Sequence, residues 1–297
     1  MKITEVEAKT IIVKSKLPDA DYVVNPYTGC EFACSYCYAS FMGRFVGEPI
    51  ASWGDYVYVK TNAVELFRSE LPKLQKREPN ASIFLSSVTD AWQPVERTYR
   101  LARGILQQLV SQKYLGVVSI LTKSPILLDD LELLRKLPQP DVGVTITATS
   151  NDVARILESR APSASRRLQM LSQLNEAGVR TYAFVGPLLP HFRFAPDELR
   201  NLFIAIKSTG TTELYVELMN MSQYIRSRTD DEITKAGPIW LDAYRNASDR
   251  EHRKALSMLV SEMTADLGLR VRLGGVLDHV SDAKGPAVGG DKVKAPS

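Results

Sequence analysis

Six short runs rich in β-branched and aromatic residues, each followed by a segment whose apolar residues recur near every 3.6 positions, constrain this chain more than any other feature. The runs are residues 21–27, 81–88, 115–123, 142–149, 180–186 and 213–219. Helical periodicity covers 62–76, 95–112, 127–136, 164–177 and 196–208, with a last helix at 249–267 and a closing strand near 269–273. Strands that alternate with helices pair in parallel through crossover helices. About six such units suit an α/β fold of the partial (β/α)6 barrel type better than a doubly wound sheet, and in either case the functional groups gather at the strand C-termini. Gly178 and Gly210 read as helix stops, and Ser248 or Asp249 as the cap of the last helix. Residues 1–276 read as one domain and 277–297 as a disordered tail. Asn220–Asp249, the least regular stretch, reads as a loop able to close the barrel mouth.

With 297 residues, 44% of them apolar, the chain can fill a large core. It contains no apolar run near the roughly 18 residues needed to cross a bilayer, and MKITEVEAKTIIVKSK lacks a signal-peptide core. A cytoplasmic protein with no membrane partner is expected. The net charge of +3 leaves a nucleic-acid partner open, since phosphate binding depends on where Lys and Arg cluster.

All three cysteines, Cys30, Cys34 and Cys37, lie in the segment NPYTGCEFACSYCYA, just after the first predicted strand. A secreted disulfide framework is not distributed in this way. Three thiolates can hold three irons of a cubane [4Fe-4S] cluster and leave the fourth iron open for an exogenous ligand. Zinc would need a fourth ligand, and His191, His252 and His279 have no partner spacing for it. An electron carrier would normally supply four cysteines, and unliganded thiols so close together would be prone to oxidation.

The spacing Cys-x3-Cys-x2-Cys, with an aromatic residue, Tyr36, before the last cysteine, resembles the radical S-adenosylmethionine (SAM) superfamily. The similarity extends over about residues 20–220, and SSVTDAWQPVER, LTKSP, ESRAPSASRRLQML and the Gly-Pro-x-x-Pro at 186–190 look most like its spore photoproduct lyase branch. The resemblance implies a partial (β/α)6 barrel, SAM chelated to the open iron, an electron donor such as flavodoxin or ferredoxin, and cleavage of SAM to a 5′-deoxyadenosyl radical that takes hydrogen from a substrate. It places Tyr36 against adenine through its backbone and puts Ser87, Val88, Thr89 and Asp90 at the methionine amino group, with Thr89 as the direct contact. By the same resemblance Lys123 reaches the methionine carboxylate, and Thr147, Thr149 or Ser150 meets the ribose. Spore photoproduct lyase has a hydrogen-donating cysteine where this chain has Ser87. With every cysteine in the cluster motif, a thiyl relay and an auxiliary cluster are both excluded. Tyr38, Tyr182 and Tyr215 are the substitute donors.

For the substrate, Asp90, Trp92, Gln93 and Glu96 follow the second predicted strand and His191 and Arg193 the fifth. A carboxylate there can act as acid or base, although Glu96 suits a first helical turn and Trp92 a core position. Glu217 and Asn220 close the sixth strand, and alternation points Tyr215 and Glu217 to one face. Tyr38, Asp90 and Glu217 are therefore the candidate catalytic residues. Arg97, Arg100 and Arg103 would share a helix face, with Arg155, Arg160, Arg166 and Arg167 nearby, but such stripes are more often solvated exterior than phosphate track. A small metabolite such as a nucleoside, sugar or biosynthetic intermediate is thus the favoured substrate. A nucleic-acid lesion comes second, and a non-catalytic iron–sulfur protein is the remaining reading.

Overall fold

A computed structural model describes residues 1–278; His279 and most of the predicted tail lie outside the described residues. The strands are β1 (Lys2–Val6), β2 (Val13–Lys14), β3 (Tyr22–Val24), β4 (Tyr27–Thr28), β5 (Tyr56–Lys60), β6 (Ile83–Leu85), β7 (Val118–Thr122), β8 (Pro140–Thr145), β9 (Thr181–Leu188), β10 (Glu213–Leu218) and β11 (Arg270–Val271). The α-helices are α1 (Ala63–Arg77), α2 (Glu96–Tyr99), α3 (Leu101–Ser111), α4 (Leu131–Leu134), α5 (Asn151–Leu157), α6 (Ala164–Glu176), α7 (Pro196–Ser208), α8 (Gln223–Ala236), α9 (Pro238–Arg245) and α10 (Arg250–Leu267).

The main sheet has the order β11-β10-β9-β8-β7-β6-β3-β2, parallel throughout except for the antiparallel β2. From β3 to β11 each parallel neighbour is also the next strand of this sheet along the chain, so there is no reversal of order and the doubly wound alternative is excluded. The sheet is also rolled. Five strand spacings separate β3 from β10, about 24 Å in a flat sheet, yet the Tyr215 hydroxyl donates to Asp19, three residues before β3. Phe84, Ser119, Asp141, Tyr182 and Tyr215, one from each of β6 to β10, line one cavity of about 30 Å³ with Asp19 and Ala20. Its end strands, β2 and β11, are not paired with each other, so the roll is open.

A second sheet, β1-β5-β4, was not anticipated, although YVYVK in β5 carries the alternation of a strand. The predicted strand 21–27 is divided between the sheets. β3 pairs with β6, the chain turns at Asn25 and Pro26, and β4 pairs with β5. The predicted helix 95–112 breaks at Arg100, which is left-handed at φ 52. Residues 220–249 form α8 and α9 rather than a loop. α8 buries only Ile225, Thr229 and Ile233, a narrow stripe on a charged helix, and that composition conceals it. The folded part also passes residue 276, since Leu277 N donates to Val216 O at 2.8 Å and Leu277 O accepts from Leu218 N at 2.9 Å.

The N-terminal ends of the strands are sealed by Arg272, which donates twice to Asp141 (both 2.7 Å) and through Nε to Glu213 (2.7 Å). Its guanidinium lies 4.3 Å from the ring centre of Tyr182. Truncating one member of a buried ion pair costs about 3–5 kcal/mol because the other charge is left desolvated. Arg272→Ala is therefore expected to lower apoprotein stability by about that amount; a urea midpoint within experimental error of the wild type would contradict the sealing role.

Candidate active site

With the N-terminal ends closed, the open end of the roll is the one that presents the cysteine loop. Gly29 follows β4 with φ +99, and a Cβ there would sit 2.3 Å from Tyr56 O, so only glycine lets the loop leave against β5. Ala33 N donates to Cys30 O (3.3 Å) and Cys37 N to Cys34 O (3.1 Å), which makes two successive turns. Side chains from elsewhere pin these turns. Thr89 donates to Gly29 O (2.6 Å), Glu31 N donates to Gln93 (2.8 Å), and Ser35 N donates to Leu157 O (2.9 Å). The Tyr36 hydroxyl donates to Glu158, which is ion-paired to Arg167; both charged side chains are 1% exposed. Arg167 also donates to Thr145 O (3.1 Å) and Pro162 O (2.9 Å), tying the loop to the end of β8.

Burial pushes the Cys34 thiol up to about 12 and raises Cys30 and Cys37 as well. Thiolate character must therefore come from a bound cationic group. Among the described residues no three His, Cys, Asp or Glu side chains are placed to share one metal ion. A cubane does not ask for such convergence, since its three thiolates bind three different irons. Lys123 faces the loop with Nζ 5.6 Å from the Tyr36 ring centre. Burial works to lower it, yet Cys34 and Glu158 hold it above the ordinary lysine range. The three cysteines fit the cluster, and a cation suited to a carboxylate lies beside them.

The other expected residues divide. The Tyr38 ring is 43% exposed beside Cys37, its hydroxyl donates to Ser87 O, and it lies within electrostatic reach of Glu217. Ser87 Oγ accepts from Asn25 (2.9 Å), Thr147 is buried, and Thr149 and Ser150 line a cleft of about 240 Å³ with Phe192, Glu198 and Asn201. Ser150 also caps α5, accepting from Val153 N at 3.4 Å. Asp90 is turned inward, where its carboxylate accepts from Thr122 (2.7 Å), Trp92 N (2.9 Å) and Lys123 N (2.8 Å). It braces the ends of β6 and β7, and burial raises its pKa against the pull of these three donors.

Several candidates are corrected by position. Tyr182 and Tyr215 have their hydroxyls on Ile120 O and Asp19, by the sealed end, so of the three tyrosines only Tyr38 stands at the cysteines. His191 is buried, stacked 4.0 Å from Trp240, with burial lowering its pKa to about 4. Arg193 donates to His252 (3.2 Å), and Asn220 accepts from Ser222 N (2.9 Å). Trp92 is core, and Glu96 accepts from Tyr27 and from Arg103 N (3.0 Å) at the start of α3. The arginine stripe is interrupted, with Arg97, Arg155 and Arg166 left exposed. Arg100 interrupts its helix, Arg103 pairs with Asp130, Arg160 pairs with Asp55, and Arg167 is buried. Glu158 and Arg228 were missed as site residues, and Gln93, expected on the substrate side, instead pins the cysteine loop at Glu31 N. Glu158 stood only inside a resembling segment, and Arg228 in a stretch read as loop.

Comparison with known proteins gives a consistent result. The sequence profile of the Radical SAM superfamily matches residues 24–201. An uncharacterized protein of Methanocaldococcus jannaschii is 36% identical over 190 residues, 64% of this chain and 69% of that one. Spore photoproduct lyase of Clostridium acetobutylicum is 22% identical over 203 residues, 68% of this chain and 57% of that one. A solved spore photoproduct lyase complexed with dinucleoside spore photoproduct superposes with a TM-score of 0.67 at 17% identity, covering 91% of this chain and 81% of the other.

Glu158 yields a test of the anchor. Burial works against its charge, but Arg167 and Lys123 hold its carboxyl below the usual range. A depressed carboxyl stabilises fully above its unfolded value, 4.5, and that stabilisation is lost as pH falls through the lowered folded value. Glu158→Gln leaves Arg167 buried and unpaired, at about 3–5 kcal/mol. The gap from wild type, read by urea unfolding of the apoprotein, should be largest near neutrality and close under acid; a pH-independent gap would show that the charge is not responsible.

Proposed function

The chain belongs to the radical SAM superfamily, and on that premise we propose that it is a radical SAM enzyme acting on a small metabolite such as a nucleoside, sugar or biosynthetic intermediate. The observation that carries this is the convergence of Cys30, Cys34 and Cys37 with Lys123, Tyr38 and Glu217 at the one open end of the roll. Cys30, Cys34 and Cys37 would hold a [4Fe-4S] cluster there, and with SAM it would supply one-electron radical chemistry directed at a hydrogen of the substrate. Lys123 offers its ammonium to the methionine carboxylate of SAM. Tyr36, held by Glu158, keeps the backbone before Cys37 in place for adenine. Thr149 and Ser150 offer hydroxyls to the ribose from the cleft they line. Thr89 acts through Gly29 and the loop, since its hydroxyl is already donated there. Tyr38 and Glu217 form the substrate side, with Tyr38 as the candidate donor of hydrogen to the product.

A small substrate is favoured by the broken arginine stripe and by α8, whose Arg228 lies against the cysteine loop. The fold shared with an enzyme crystallised on dinucleoside spore photoproduct favours the second reading, repair of a nucleic-acid lesion. Salt-dependent binding of single- or double-stranded DNA would decide for the second and against the first.

The central test needs no substrate. Anaerobically reconstituted protein should bind about four irons per chain, change its EPR signal on adding SAM, and slowly release 5′-deoxyadenosine when reduced. Cys34→Ala should lose all three properties, and a cluster indifferent to SAM would leave only an electron-transfer protein. Lys123→Ala should keep the cluster but weaken SAM binding by about 10- to 100-fold, as expected for a lost hydrogen bond to a charged group; unchanged SAM affinity by EPR titration would remove Lys123 from the site.

A further inference from the structure

The superfamily profile ends at residue 201, yet the cysteine loop is completed by a side chain from beyond it. Arg228, on α8, donates from Nη2 to Cys34 O at 3.0 Å and from Nη1 to Cys37 O at 3.3 Å. Both carbonyls already accept backbone N–H groups, from Cys37 at 3.1 Å and Ser40 at 3.3 Å. The guanidinium is thus the second donor on each, and a planar fork bridges two carbonyls in a way a lysine ammonium does not. The acidic group of the same helix that acts on it electrostatically is Glu232, one turn on, whose Oε2 is buried without a hydrogen-bond partner among the described residues. The positive charge is therefore turned toward the cysteine backbone and is not held in a hydrogen-bonded ion pair.

We propose that Arg228 is a positioning residue that also sets the reduction potential of the cluster, fixing the two turns with its fork and favouring the reduced state with its charge. The inference rests on Cys30, Cys34 and Cys37 being the cluster ligands. Reduction adds one negative charge to an already anionic group, and a fixed cation against its ligand loop stabilises that added charge. Glu232 moderates the effect, so its neutralisation acts in the opposite direction.

The test is an EPR-monitored redox titration of the full-length reconstituted protein without SAM, with iron per chain measured after gel filtration. At a fixed applied potential the reduced-to-oxidised ratio should fall about tenfold in Arg228→Gln, a negative shift of about 59 mV for one electron. Arg228→Lys keeps the charge and should titrate near wild type while retaining less iron, because the fork is lost. Glu232→Gln should raise the reduced fraction. A cluster-bearing Arg228→Gln with the wild-type ratio overturns the proposal, as does a Glu232→Gln shift in the same direction as Arg228→Gln. Should Arg228→Gln hold no cluster, Glu232→Gln decides alone, and an unmoved ratio there overturns the proposal. A folded wild-type chain that binds no cluster overturns instead the assignment of the three cysteines, so the two failures are distinct.

Discussion

Backbone that is neither helix nor strand can be ordered near a protein's interior only if other segments satisfy its N–H and C=O groups. The cysteine loop meets this condition with donors and acceptors drawn from three places, Thr89 and Gln93 after β6, Leu157 at the end of α5 and Arg228 on α8, while the Glu158–Arg167 pair holds the Tyr36 side chain. The rolled sheet makes that possible, because it brings the C-terminal ends of successive strands around one space. Closure of the opposite end by Arg272, Asp141 and Glu213 holds the roll and leaves a single open face.

Much of this was legible in the residues. The alternation of strands and helices that builds a parallel sheet followed from period-2 and period-3.6 patterning, and the three candidate cysteine ligands from one compact motif. Pairing between distant elements was not. A strand such as β1, largely exposed, has no buried face to impose alternation, and α8 shows only every fourth residue to the core. The division of residues 21–27 between two sheets was hidden because Pro26 marks a turn without saying where the chain goes next.

Within the site the same distinction holds. Residues proposed to carry the chemistry themselves, such as Cys34 and Lys123, stand out by motif, by strand-end position and by resemblance. Those whose role depends on a partner were misread, since composition cannot show that Asp90 already holds three donors or that Tyr215 hangs at the sealed end. Arg167 is the clearest case. By residue type it reads as a surface cation, but it shares the helix face of Ala164, Leu171 and Leu174, and in the fold it is an almost fully buried counter-charge to Glu158.

The spread of these anchors along the chain also orders events during synthesis. The cysteine loop leaves the ribosome early, but Arg228 follows Cys34 by 194 residues, which takes about 10–40 s at ordinary translation rates. Throughout that interval the segment that carries the three thiols lacks at least the Arg228 clamp, and at first it lacks those from Thr89, Gln93 and Leu157 as well. Cluster delivery to the finished protein must instead pass a loop that is already fastened, so the nascent chain and the mature chain present the same cysteines to the cell in two different states of access.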